Sequence, residues 1–87
     1  MTLRKHFENL LYQHALTEDQ IKAIMDAVEA DKANECMKAR WTDHTEGYDQ
    51  GLLNGLWVSV CRNAVEWIDA NKPLHFMRAA FARVSGG

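Results

Sequence analysis

Residues 49–73, DQGLLNGLWVSVCRNAVEWIDANKP, predict one long helix over about residues 50–71 that is apolar around most of its circumference. At 100° per residue, an apolar arc of about 200° runs along this helix, through Leu53, Leu56, Trp57, Val58, Val60, Cys61, Ala64, Val65, Trp67 and Ile68. The strip predicted to face water is narrow and carries Arg62, Asn63, Glu66 and Asp69. We therefore expect this helix to form the core, covered by the rest of the chain or by a second copy.

Two shorter helices are predicted before it. Thr2 is placed to cap a helix over about residues 3–15, whose apolar face carries Leu3, Phe7, Leu10 and Leu11. Residues 17–20, TEDQ, have the form of a capping box, and Leu16 and Ile21 are spaced as a hydrophobic staple. A second helix is therefore predicted to begin at residue 18.

The end of the second helix has two interpretations. Its apolar stripe stops near Ala30, after which charged residues occupy the same face. The helix either continues to about Arg40, which the good helix propensity of this stretch favours, or breaks near Asn34. Residues 42–48, TDHTEGY, are predicted to form a loop, because Thr, Asp and Gly cluster between two periodic segments.

A fourth, short helix is predicted to follow Pro73, which fits the first position of a helix. Its apolar side carries Leu74, Met77, Ala80, Phe81 and Val84. Residues 85–87 are expected to be a flexible end. The sequence thus predicts an all-α fold, a bundle of about four helices around the central apolar helix, in a single domain over residues 1–84.

Composition argues against several classes of function. The 87 residues have a net charge of −2, and residues 17–49 carry nine acidic and four basic side chains. This balance offers neither a nucleic-acid nor a membrane footprint. The longest apolar stretch, Leu52 to Cys61, is too short to span a bilayer. Two cysteines without a CxxC pair fit a reducing compartment, so we expect a cytoplasmic protein.

The predicted loop and its borders bring two aromatic residues close to an acidic patch: Trp41, Asp43, His44, Glu46 and Tyr48. Aromatic anchors with a polar surround are typical of protein-binding surfaces. In the alternative interpretation, Trp41 and Tyr48 fold back to close the ends of the neighbouring helices, and the acids are merely solvated. Both interpretations remain open at this point.

Gly51, Gly55 and Ser59 recur at a spacing of four residues, which places three small side chains in a row along the helix. Such a row lets another helix backbone approach closely. We expect a tight crossing within the chain. A contact in a homodimer is the alternative.

No catalytic, metal or cofactor motif is recognisable. The four histidines and two cysteines show no spacing typical of zinc ligands. Cys36 with His44 is the one pair close enough across the predicted loop for thiol chemistry, and nothing in the sequence forces them together. We therefore assign no catalytic residue, no metal and no cofactor, and keep a thiol or metal enzyme as a lesser alternative.

The first two helices have the lengths of a helix-turn-helix, so a dimeric nucleic-acid-binding regulator is a further alternative. The second helix, however, begins with Glu18 and Asp19, which phosphates would repel. It also lacks a cluster of Arg, Asn or Gln that reads base edges. The sequence therefore argues against nucleic acid as the partner.

Residues 40–73 contain the pattern W-x-D, G-Y, L-W and W-I-D-x-x-x-P, between Arg40 and Pro73. In this pattern the chain resembles small accessory proteins of temperate phages that infect enteric bacteria. The resemblance implies an origin and no mechanism, and it transfers no active residue. Together with the absent chemistry, it favours a non-enzymatic protein that binds and modulates or inhibits a host or phage protein in the host cytoplasm.

Overall fold

The computed structural model describes residues 1–30, 41–72 and 75–85. These ranges contain four α-helices and one 3-10 turn: α1, Leu3–Tyr12; α2, Glu18–Ala30; the turn, Thr45–Gly47; α3, Gln50–Asn71; and α4, His75–Val84. No β-strand occurs within them, although an isolated bridge pairs Thr2 with His44. The predicted all-α bundle is confirmed.

The first two helices begin where their caps predict. The Thr2 hydroxyl oxygen accepts a hydrogen bond from the Lys5 N–H at 3.2 Å. At the start of α2, the Gln20 N–H donates to the Thr17 hydroxyl oxygen at 3.3 Å, and the Thr17 N–H donates to Gln20 Oε1 at 2.9 Å. This reciprocal pair is a capping box, and the staple residues Leu16 and Ile21 are both buried.

α1 ends at Tyr12, so the predicted end near residue 15 is wrong. The chain leaves the helix through Ala15, which has a φ of 63° in the left-handed region. That conformation is incompatible with a continuing right-handed helix. It turns the chain sharply enough for α2 to begin at Glu18.

α3 has the predicted bounds. The Asp49 carboxylate accepts a hydrogen bond from the Leu52 N–H at 2.8 Å and caps the first turn. At the other end, Lys72 adopts a left-handed conformation with a φ of 56°, and its N–H donates to the Ile68 carbonyl. This αL residue ends the helix one residue before Pro73.

One hydrophobic core joins all four helices and residue 41. Its buried members are Leu3, Phe7, Leu11, Leu16, Ile21, Ile24, Met25, Val28, Trp41, Leu56, Val60, Cys61, Ala64, Ile68 and Phe81. α3 contacts both α2 and α4, as its broad apolar arc requires. Leu52 and Val58, at the margin of that arc, are exposed.

Asn63 was predicted to lie on the strip of α3 that faces water. That prediction is wrong, because Asn63 is only 3% exposed. Its side-chain amide donates to the Ser59 carbonyl at 2.9 Å. A buried amide is tolerated when its donors are satisfied, and this one finds an acceptor one turn earlier in its own helix. Arg62, Glu66 and Asp69 are exposed as predicted.

Some predictions fall outside the described residues. They are the continuation of the second helix to Arg40 or its break near Asn34, the opening of the fourth helix at Pro73 with Leu74, and the last two residues of the flexible end, 86–87.

Candidate contact surface at the 41–48 loop

The loop over residues 41–48 is attached to the beginning of α1 by backbone hydrogen bonds. The N–H groups of Leu3 and Arg4 donate to the carbonyls of Asp43 and Trp41 at 2.8 and 3.0 Å, and the Thr45 N–H donates to the Met1 carbonyl at 2.9 Å. The first N–H groups of a helix have no acceptor inside the helix. The loop carbonyls supply acceptors, so the loop is held in one position.

Trp41 packs in the core and is 3% exposed. Its ring meets that of Phe7 edge to face, with centroids 5.8 Å apart and planes inclined by 84°. Its indole N–H is buried, and no acceptor for it occurs among the residues that the structure describes. Trp41 therefore folds back, as the second interpretation has it, and offers no exposed ring to a partner in this conformation.

The other residues of the predicted site lie at the surface. Asp43, His44 and Glu46 are exposed, and Tyr48 is half-buried against the core. The Tyr48 hydroxyl donates to Asp43 Oδ2 at 2.9 Å, which fixes both side chains relative to each other. We call Asp43, His44 and Glu46 the acidic rim of the loop.

The electrostatics of the acidic rim keep Glu46 ionised. Its carboxylate accepts a hydrogen bond from its own backbone N–H and faces the Met1 ammonium, 4.0 Å away, and both contacts lower the pKa of Glu46. The nearby His44 ring acts in the same direction. The rim is thus an exposed anionic surface on a positioned backbone.

Among residues 1–30, 41–72 and 75–85, no other helix packs against the two glycines of the small-residue row on α3. Gly51 and Gly55 are exposed. A Cβ placed on Gly55 would meet no described atom within 4 Å, and one on Gly51 would meet only its neighbour Asp49. No helix of the described ranges therefore makes the predicted tight crossing at these glycines, and Ser59 is half-buried. A homodimer contact through this row stays a prediction.

The described residues offer no support for thiol chemistry at Cys61. This side chain is fully buried, and burial raises the pKa of its thiol to about 12, so it is protonated at neutral pH. A thiolate is the nucleophile in thiol chemistry. Cys36 lies outside the described residues, and no group of three His, Cys, Asp or Glu side chains placed to hold a metal occurs within them.

The first turn of α2 carries the wrong charge for a helix that enters a DNA groove. Glu18 and Asp19 occupy its first turn and are both exposed. Their carboxylates favour the positive end of the helix dipole and would repel phosphates. None of the helices in the described ranges has the combination of length and apolar character needed to cross a membrane.

An ion cluster between α1 and α2 is a feature that the sequence analysis missed. Arg4 contacts Glu8 at 3.3 Å and Asp26 at 3.2 Å, and it also pairs with Glu29. Partial burial lowers the pKa of Arg4, but the hydrogen bonds to Glu29 and Asp26 outweigh it and leave the pKa raised. The spacing of Arg4 and Glu8 was visible as an i,i+4 pair, whereas the α2 partners required the fold.

No protein-family model, no curated protein and no solved structure matches the chain. The fold and the loop surface define a small all-α protein with an acidic loop fixed to its first helix. The resemblance of residues 40–73 to phage accessory proteins stays a prediction.

Proposed function

We propose that this chain is a non-enzymatic accessory protein that binds another protein through the acidic rim and thereby modulates or inhibits it. One observation carries the proposal: the rim is exposed, yet its backbone is fixed by hydrogen bonds from α1 and the N-terminal residues. A surface that is already ordered loses little conformational entropy when a partner binds. The buried Trp41 supports the loop from beneath.

The chemistry of the rim points to a basic partner surface. Asp43 and Glu46 supply two carboxylates, and the half-buried Tyr48 adds an aromatic ring at the margin. Complementary charge accelerates encounter and fixes the orientation of a complex. A host or phage protein in the host cytoplasm is the partner that the resemblance of residues 40–73 favours. Self-association through Gly51 and Gly55 is a separate proposal and is compatible with this one.

The experiment is a capture from an enterobacterial lysate with three immobilised proteins. They are the wild type, a rim variant His44→Ala/Glu46→Lys, and a control variant Glu66→Lys. Glu66 is exposed on α3, so the control makes the same change of carboxylate to ammonium away from the loop. All substituted side chains are exposed, so circular dichroism is expected to show three equally folded proteins.

We expect at least one protein to be retained by the wild type and the Glu66→Lys control and lost from the rim variant. Its retention should fall as salt rises, because exposed charges are screened. Capture of the same set of proteins by all three would overturn the role of the rim.

A further inference from the structure

The residues before α1 lie against the 41–48 loop. An isolated antiparallel bridge pairs Thr2 with His44, and the Thr45 N–H donates to the Met1 carbonyl at 2.9 Å. These backbone contacts hold Met1 beside the loop. The α-amino group of Met1, the His44 ring and the Glu46 carboxylate therefore face one another, although Met1 is distant from the other two in sequence.

Three donor atoms of these residues lie close together. The Met1 nitrogen is 3.5 Å from His44 Nδ1 and 4.0 Å from Glu46 Oε1, and His44 Nδ1 is 3.9 Å from Glu46 Oε2. In a tetrahedral zinc site, metal–ligand bonds of about 2.0–2.2 Å place two ligand atoms roughly 3.3–3.5 Å apart. The two nitrogens already have this spacing. The Glu46 side chain is 74% exposed, so it can move the short remaining distance.

The chemistry of the donor set suits a divalent transition metal. An amine nitrogen, an imidazole nitrogen and one carboxylate oxygen favour Zn²⁺ or Cu²⁺, whereas Mg²⁺ and Ca²⁺ prefer oxygen ligands alone. The Met1 ammonium can only donate a hydrogen bond, so His44 Nδ1 is the acceptor in their contact. The lone pair of Nδ1 is therefore directed towards the amine, where a metal would lie.

The surrounding charge also favours a cation. Residues 41–49 carry three carboxylates and neither Lys nor Arg. A surface with one sign of charge raises the local concentration of ions of the opposite sign. In the metal-free protein the Met1 ammonium faces Glu46. Metal binding exchanges one proton of that ammonium for a doubly charged ion, because a ligand must be deprotonated to coordinate.

We propose that the Met1 amine, His44 Nδ1 and the Glu46 carboxylate bind one Zn²⁺ or Cu²⁺ ion, with a fourth position open to water. Only two of the ligands are side chains, so the site differs from a cluster of three metal-binding side chains, none of which occurs in the described ranges. Ligand spacing in the sequence could not reveal it, because one donor is the α-amino group. His44 and Glu46 belong to the acidic rim, but metal binding needs no partner protein and goes beyond the function proposed above.

The test is a calorimetric titration of the 87-residue protein with ZnCl₂, CuCl₂ and MgCl₂ at about pH 8, since the amine must lose a proton to bind. Intact mass first verifies that Met1 is present in the sample. We expect one Zn²⁺ or Cu²⁺ ion per chain, tighter binding of Cu²⁺ than of Zn²⁺, and no saturable binding of Mg²⁺. The electron paramagnetic resonance spectrum of the Cu²⁺ complex should show splitting from two nitrogen ligands.

Matched variants identify the ligands. His44→Gln and Glu46→Gln should each weaken Zn²⁺ binding at least about tenfold, because each removes one of three donors. His6→Gln and Glu66→Gln make the same changes on α1 and α3 and should leave the affinity unchanged. A Gly-Ser extension before Met1 converts the amine into an amide and should weaken binding as His44→Gln does.

The proposal is overturned if neither Zn²⁺ nor Cu²⁺ binds saturably, if His44→Gln binds as tightly as His6→Gln, or if the extended protein keeps the wild-type affinity. These outcomes are independent of the lysate capture described above. Metal binding can fail while the acidic rim still retains a partner, and a lost partner leaves the metal titration unchanged.

Discussion

The rings of Phe7 and Trp57 lie nearly parallel, with centroids 6.2 Å apart and planes inclined by 8°. This contact joins α1 to α3, and the edge-to-face contact of Phe7 with Trp41 extends it to the loop. Trp57 also stacks on His14 and meets Phe81 of α4 edge to face. Because the aromatic side chains connect the loop to three helices, loss of one ring should destabilise the whole domain.

We expect Trp41→Ala to lower the free energy of unfolding by about 3–5 kcal/mol, the usual cost of removing a buried large aromatic ring. Tyr12→Ala is the control, because Tyr12 is 60% exposed, and it should change stability by no more than about 0.5 kcal/mol. Urea unfolding followed by circular dichroism measures both. A loss below about 1 kcal/mol for Trp41→Ala would mean that Trp41 is a surface anchor after all.

The capping box of α2 gives a second prediction. Thr17→Ala removes the hydroxyl that accepts from the Gln20 N–H, and it should cost about 1 kcal/mol. Thr42→Ala makes the same chemical change at an exposed loop residue and should be nearly neutral. Equal losses at the two positions would show that the hydrogen bond at Thr17 contributes no stability.

Local sequence signals predicted the helices well, because each signal depends on atoms only a few residues apart. Asp49 and Thr17 act through N–H groups three residues further on, so their roles can be deduced without a fold. The burial of Trp41 depends on Phe7, which is distant in sequence, and an aromatic residue beside acids fits either a core or a contact surface. The four-residue spacing of Gly51 and Gly55 indicated that a helix could pack closely against them. It could not indicate whether any helix lies there.

The left-handed conformation of Ala15 predicts a stabilising substitution. A residue with a Cβ in this conformation costs the folded state roughly 1–2 kcal/mol, and glycine avoids that cost. Glycine also raises the conformational entropy of the unfolded chain, which offsets about 0.4–1 kcal/mol of the gain. Ala15→Gly should therefore raise stability by about 0.5–1 kcal/mol. Ala79→Gly, at an exposed position inside α4, should instead lower it by about 1 kcal/mol. Thermal unfolding of both variants tests the sign.

The two phenylalanines of α4 should differ sharply. Phe81 is 1% exposed and Phe76 is 76% exposed. Phe81→Ala should cost about 3–5 kcal/mol, whereas Phe76→Ser should alter the free energy of unfolding by about 0.5 kcal/mol at most. Denaturant titrations of the two proteins measure the difference. A large loss for Phe76→Ser would place its ring in a contact, within the chain or between copies.

Ionisation of the Cys61 thiol should make the free energy of unfolding depend on pH in the alkaline range. Burial raises the pKa of its thiol to about 12 in the folded protein, whereas an exposed thiol in the unfolded chain ionises near pH 8.5. Between these two values the unfolded state binds fewer protons, so the free energy of unfolding falls as pH rises. The limiting slope is about 1.4 kcal/mol per pH unit for one thiol.

The measurement compares Cys36→Ser with Cys36→Ser/Cys61→Ala, in which the first protein keeps Cys61 as its sole thiol. Between pH 8 and pH 10.5, the protein with Cys61 should lose about 2.5 kcal/mol more stability than the protein without it. Tyrosine and lysine titrate in both proteins and cancel in the comparison. Parallel pH profiles would mean that the thiol ionises as readily in the fold as in the unfolded chain, which a side chain with no exposed surface should not do.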